Sequence, residues 1–175
     1  MKKTTLIAAI GLSISMSAGA GEMAFSGPDS VSYAKDLWSA LGGAKLVGSP
    51  ADNPAPYKGV HPHGAVLTNA TSSVTVGGHT GTVIVKKNFG GEGVSTDAVA
   101  KDPTKYLKAV TVMFQREEGY DADNQNWFWA KYKADGSLDA NEKGMKLAGR
   151  VAKGKPKGCI ACHTAAPGGD MIYTN

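Results

Sequence analysis

Near its C-terminus the chain reads Cys159-Ile160-Ala161-Cys162-His163, with twelve residues after the histidine. Two thiols three positions apart can add across the two vinyl groups of one haem. The histidine directly after the second thiol then reaches the iron, so the spacing reads as covalent attachment of haem c. Cys159 and Cys162 are the attachment residues and His163 is the axial iron ligand. The competing chemistry for a CxxC pair is thiol exchange, normally placed where a helix opens after a buried strand. Here the pair follows "AKGKPKG", a polar Gly/Pro/Lys loop, and the haem reading prevails.

One assigned ligand leaves the sixth iron position to be explained. Met171 is the only methionine after the motif, and eight residues is a short path around a haem edge, so Met171 is read as a packing residue. Met113 and Met145 are read as core or helix-face residues. His61-Pro62-His63 lies in a proline-rich loop and is read as structural or exposed, with either histidine a candidate to close the sixth position. His79 falls in a Gly-rich turn.

The compartment follows from the other end of the chain. Lys2 and Lys3 precede an apolar run from Leu6 to Met16 and then Ala18-Gly19-Ala20, the pattern of a cleaved export signal over residues 1–20. The run is too short for a membrane span and no later segment approaches one. The expectation is an exported, periplasmic protein whose mature part, residues 21–175, makes a single domain; roughly 155 residues suffice for one core. The formal charge of +4 falls to +2 when Lys2 and Lys3 leave, and the remaining lysines are dispersed, which argues against a nucleic-acid partner. Only Lys143 to Lys157 form a local cluster. It reads as a solvated face, and alternatively as a surface steering an acidic redox partner.

These residues need a scaffold. Tyr33, Leu37 and Leu41 recur at helical spacing and Gly42-Gly43 stops them, which predicts a short amphipathic helix. The stretch "VGSPADNPAPYKGVHPHG", with four prolines and three glycines, predicts a loop. Alternating β-branched residues on both sides of Gly77-Gly78 predict two antiparallel strands. A second strand pair is predicted over Lys108 to Arg116 and Asn126 to Lys133, placing Trp127 and Trp129 on one face. A modest helix is predicted over Asn141 to Val151. The fold class is therefore α+β, mainly β: a central antiparallel sheet with short flanking helices and the haem attached near the C-terminus. Four long amphipathic helices, which a bundle cytochrome needs, are missing from the sequence pattern.

A β-sheet cytochrome with C-x-x-C-H near its C-terminus resembles the cytochrome P-460 family, which includes the cytochromes c prime beta. The likeness rests on "GTVIVKKNFG", "NWFWAKY" and "CIACHTAAPGGDMIYT", over roughly residues 64–175. It implies that a strand lysine bonds to a bridging carbon of the porphyrin: Lys86 by the motif, with Lys87 the neighbour a one-residue slip would select. It also implies that His163 is the only protein ligand of a five-coordinate iron, with the far face left to a small nitrogen compound, hydroxylamine or nitric oxide. Members that oxidise hydroxylamine carry a carboxylate on the strand matched here by "AVTVMFQRE". The matched position is Thr111, with Met113 and Gln115 on its face, and none is a base at neutral pH. Thr111, Met113 and Phe89 or Phe114 are the expected lining, while Glu117 and Glu118 are read as solvated.

The resemblance thus implies an exported mono-haem cytochrome that binds and oxidises hydroxylamine, with Lys86, Thr111 and Met113 at the reacting site and another cytochrome c as electron partner. The alternatives are a non-enzymatic nitric oxide-binding cytochrome of the c prime beta kind and a six-coordinate electron carrier, for which Met113, Met171, His61 or His63 would have to be the second ligand. A homodimer is plausible on an exposed sheet face.

Overall fold

Alternation along the strands decides how the chain folds. In the computed structural model, residues 24–48 and 51–173 are described; the expected leader at 1–20 lies outside them. A six-stranded antiparallel sheet runs in chain order: β1 (Tyr57–Lys58), β2 (Val66–Val76), β3 (His79–Phe89), β4 (Leu107–Gln115), β5 (Trp127–Lys133) and β6 (Ala148–Gly149). The β2–β3 connection is Gly77-Gly78, with φ of +58° and +84°. A tight two-residue hairpin of that hand needs positive φ at both positions, which glycine adopts without strain.

Register turns alternation into two faces. On one, Val83, Phe114 and Phe128 line up across three strands, as do Val85, Val112 and Ala130. Helix α1 (Pro28–Gly43) covers them with Ala34, Leu37 and Leu41, all fully buried. Burying each leucine contributes about 1.5–3 kcal/mol, more than any helix-propensity difference along the segment, so packing rather than propensity holds α1 in place. Tyr132 Oη on β5 donates to Ala34 O at 2.7 Å and joins the two layers.

The opposite face carries two rows that matter below. One is Thr71, Ile84, Met113 and Trp129; the other is Asn69, Lys86, Thr111 and Lys131. The C-terminal segment lies over this face and buries Val151, Ile160 and Met171 against Ile84, Met113, Trp127 and Trp129. Each face is thus covered where it is apolar.

The four long strands and the first helix match the sequence reading. The helix expected over Asn141 to Val151 does not form. Asn141 Oδ1 accepts from the backbone N–H groups of Lys143 and Met145, both at 3.0 Å, and Gly144 turns with φ +76°. An asparagine that binds the following backbone competes with helix formation. The chain continues into β6 beside β5 instead. Two short helices, α2 (Thr96–Lys101) and α3 (Pro103–Tyr106), were not read from the sequence, although Ser95 and Asp102 cap them by accepting from Ala98 N and Lys105 N at 3.1 Å. Such caps are visible in sequence as Ser and Asp-Pro.

Replacing Tyr132 with Phe should lower unfolding free energy by about 1–2 kcal/mol, because the buried partner loses its donor. Chemical denaturation measures this against Val60→Ala, an exposed position where a change under about 0.5 kcal/mol is expected; equal effects would mean that the layer-joining bond contributes nothing.

Candidate haem site

Helix α4 (Cys159–His163) is a single turn that presents both thiols and the histidine together. It is entered through Gly158 at φ +128°, where a Cβ would lie 2.4 Å from Ala152 Cβ. Only glycine fits there, so the Lys/Gly/Pro loop is sterically tied to the start of the motif.

His163 is buried, and its Nδ1 donates to Met171 O at 2.7 Å. That bond fixes the tautomer: Nδ1 carries the proton and Nε2 keeps its lone pair for a metal. Burial also lowers the His163 pKa, against the opposing effect of the Met171 bond, which favours the neutral ligating form. Met171 adopts φ +65° to aim its carbonyl back, while its side chain packs among Ile84, Met113 and the two indoles. The packing role expected for Met171 holds; the carbonyl's role leaves no side-chain signature. The tail is held further by Trp127 Nε1 donating to Asp170 O at 3.1 Å and by Tyr173 Oη donating to Cys162 O at 3.0 Å.

A cavity between this tail and the sheet is lined by His63, Ile84, Lys86, Thr111, Met113, Trp129, Cys159, His163 and Tyr173. Trp129 stands against the His163 ring at 4.8 Å between centres. Lys86, Thr111 and Met113 are brought together as expected. Lys87 points to the other side, where its Nζ donates to Asn53 Oδ1 at 2.7 Å and Asp52 O at 3.0 Å. Burial lowers the pKa of Lys86. Phe114 belongs to the opposite core and gives no lining, whereas Phe89 packs with Val66, Val99 and Tyr106 and lines, with His63 and Thr111, a second pocket that shares those two residues with this cavity. Glu117 accepts from Arg116 at 2.6 and 2.8 Å, and Glu118 is exposed. No carboxylate lines the cavity among the described residues.

Of the two loop histidines, read as structural or exposed with either a candidate for the sixth position, His63 lines the cavity and His61 is exposed. Burial, reinforced by the charges of Lys86 and His163, pushes the His63 pKa down to about 4. Its loop position in the sequence carried no signal of that inward placement.

Whether the site suits a haem can be judged from its polar atoms. Tyr57 Oη, Asn69 Oδ1 and Trp129 Nε1 are buried without protein partners, and register places all three on the face that His163 covers. Buried polar atoms are nearly always hydrogen-bonded, so such a cluster fits a bound group with polar edges. The thiols agree: burial pushes Cys159 up to about 11, opposite to the depressed value that a thiol-exchange cysteine needs.

A buried histidine with Nε2 free, two thiols on its own helical turn and an unsatisfied sheet face define a haem-binding cytochrome site. The cytochrome P-460 family model matches residues 57–174, and the chain belongs to that family. No curated protein and no solved structure matches the chain. Among the described residues no helix is long and apolar enough to cross a membrane, and no cluster of three or more His, Cys, Asp or Glu offers a separate metal site.

The two adjacent lysines should separate on substitution. Lys87→Ala removes a buried donor from two acceptors and should cost about 1–3 kcal/mol in denaturant unfolding of the haem-loaded protein. Lys86→Ala leaves the Asp52 and Asn53 acceptors paired and acts at the cavity, so it should change the haem spectrum; a spectral change from Lys87→Ala with none from Lys86→Ala would contradict the face assignment.

Proposed function

We propose that this protein is an exported mono-haem c cytochrome that binds a small nitrogen compound, nitric oxide or hydroxylamine, at the iron. In this reading Cys159 and Cys162 form the thioether bonds and His163 supplies the axial nitrogen. The observation that carries it is the Nδ1–Met171 O bond, which leaves Nε2 as the free nitrogen of a histidine sharing a cavity with Lys86, Thr111 and Met113. Bound haem supplies an iron that holds the nitrogen compound and exchanges electrons. The chain's own residues do the rest. Met113, Ile84 and Trp129 keep water from the sheet side of the cavity, and the Met171 carbonyl holds the imidazole in its ligating tautomer.

Ligand binding is better supported than sustained hydroxylamine oxidation. Oxidation releases protons and needs a positioned acceptor. Thr111 Oγ1 is engaged by Asn88 Nδ2 at 3.3 Å, and Glu117, just past the end of β4, is paired with Arg116. The expected catalytic set of Lys86, Thr111 and Met113 thus shapes the cavity without offering a carboxylate to accept those protons. Lys86 is the candidate for the family's porphyrin link. For the electron partner, Lys155 and Lys157 are exposed just before the motif, and Cys162 is exposed within it, a surface suited to an acidic redox protein such as another cytochrome c.

Optical titration of the purified protein should show stoichiometric nitric oxide binding with slow steady-state hydroxylamine oxidation. No Soret change on adding nitric oxide would sink the ligand-binding reading, and fast turnover would restore the enzymatic one.

A carboxylate can be added back at two sites with different results. Thr111→Glu would lie between Lys86 and Lys131 and stay ionised, whereas Met113→Glu would lie between Ile84 and Trp129, where burial raises its pKa. Hydroxylamine turnover should rise roughly tenfold or more at neutral pH for Thr111→Glu. For Met113→Glu the gain should come only at higher pH, and no gain in the first variant would contradict the placement of Thr111.

Lys86→Arg should give an ordinary haem c spectrum, with an intact mass equal to chain plus haem less nothing further. The unsubstituted protein should be lighter than that sum by the hydrogens displaced in forming the link. Identical spectra and additive masses in both would remove the link.

A further inference from the structure

The proline-rich loop before β2 places one of its two histidines inward, and its backbone shows how. Gly59 N donates to Ala65 O at 2.8 Å, His63 N to Val60 O at 3.0 Å, and Ala65 N to Phe89 O at 3.2 Å. A Cβ on Gly59 would lie 2.2 Å from Gly64 O, and one on Gly64, at φ +132°, would lie 2.9 Å from Phe89 O. The two glycines let the loop close on itself and against the end of β3, and between them the chain turns His63 into the haem cavity.

There the His63 and His163 rings have centres 6.1 Å apart and planes at 89°. That separation discriminates between two roles. Imidazoles bound to one metal from opposite sides, each nitrogen about 2.0–2.1 Å from it, have ring centres on the order of 6 Å apart. A histidine that instead hydrogen-bonded an iron-bound small molecule would need the added length of that molecule and of a hydrogen bond, putting the centres roughly 8 Å apart or more. The observed distance matches the first. Of the other candidates, Met171 packs in the tail that holds His163, Met145 is at the surface, His61 is exposed, and Met113 lines the cavity but is packed on the sheet among Ile84, Trp127 and Trp129.

We propose that His63 is the second axial ligand of the resting haem iron, and that the nitrogen compound binds by displacing it. This rests on the reading of His163 as the first iron ligand and replaces the five-coordinate resting state that the family resemblance implies. Displacement makes the ligand-competent form a fraction of the population, and apparent affinity falls by that fraction. The site then selects for ligands strong enough to displace an imidazole, nitric oxide ahead of hydroxylamine.

The test uses the haem-loaded protein and its spin state. The ferric wild type should give a low-spin optical and electron paramagnetic resonance spectrum. His63→Ala should become high-spin and return to low-spin on adding free imidazole, and His61→Ala should keep the wild-type spectrum. Nitric oxide association should saturate to a ligand-independent limit in the wild type and run at least tenfold faster in His63→Ala. A high-spin ferric wild type overturns the proposal whether or not the variant folds, and so does a low-spin spectrum unchanged in His63→Ala. Failure of the underlying reading looks different: no covalently bound haem in the intact mass, or no nitric oxide binding even by His63→Ala.

Discussion

The hydrogen bond from His163 Nδ1 to the Met171 carbonyl is the constraint on which the site depends. It selects the tautomer, orients the ring and closes the C-terminal segment back over its own motif. The accepting carbonyl is positioned only because Met171 takes a left-handed backbone conformation and because its side chain is gripped by the aliphatic and indole groups of the sheet. The apolar packing on that face therefore has an electronic consequence: it keeps a main-chain oxygen next to an imidazole, and a hydrogen-bonded imidazole is a stronger donor to metal.

The sheet contributes to the same end through parity. Along β3 the side chains alternate, so Val83, Val85 and Lys87 serve the helix-covered side, and Ile84 and Lys86 serve the haem side. Lys87 ends its row at the rim of a hydrophobic core, where only the loop acceptors Asn53 and Asp52 make its burial tolerable. Two neighbouring lysines of one sequence run thus have different chemistry, set by a half-turn of the strand.

The scaffold was legible where a period carries the information. Strands β2 to β5 announce themselves through β-branched alternation and the Gly77-Gly78 hairpin, and C-x-x-C-H declares itself through spacing. The rest was not legible for identifiable reasons. The segment after Asn141 has a helix-like scatter of polar and apolar residues, but side-chain binding to backbone N–H groups overrides it. His63 sits in a stretch without period, and its inward placement follows from close backbone approaches at two glycines that no local pattern encodes. The Met171 carbonyl belongs to the main chain, which every residue shares, so no residue type could have marked it.

The strictly sequential strand order has a further consequence, for how the molecule is assembled. Each strand of the sheet pairs with its nearest neighbours along the chain, so closing it costs little loop entropy and does not wait for distant segments. The haem motif belongs to the last segment and packs on a face the earlier strands have already built. The pairings of the sheet are thus independent of the ligand-bearing tail, which packs on it through the side chains of Val151, Ile160 and Met171.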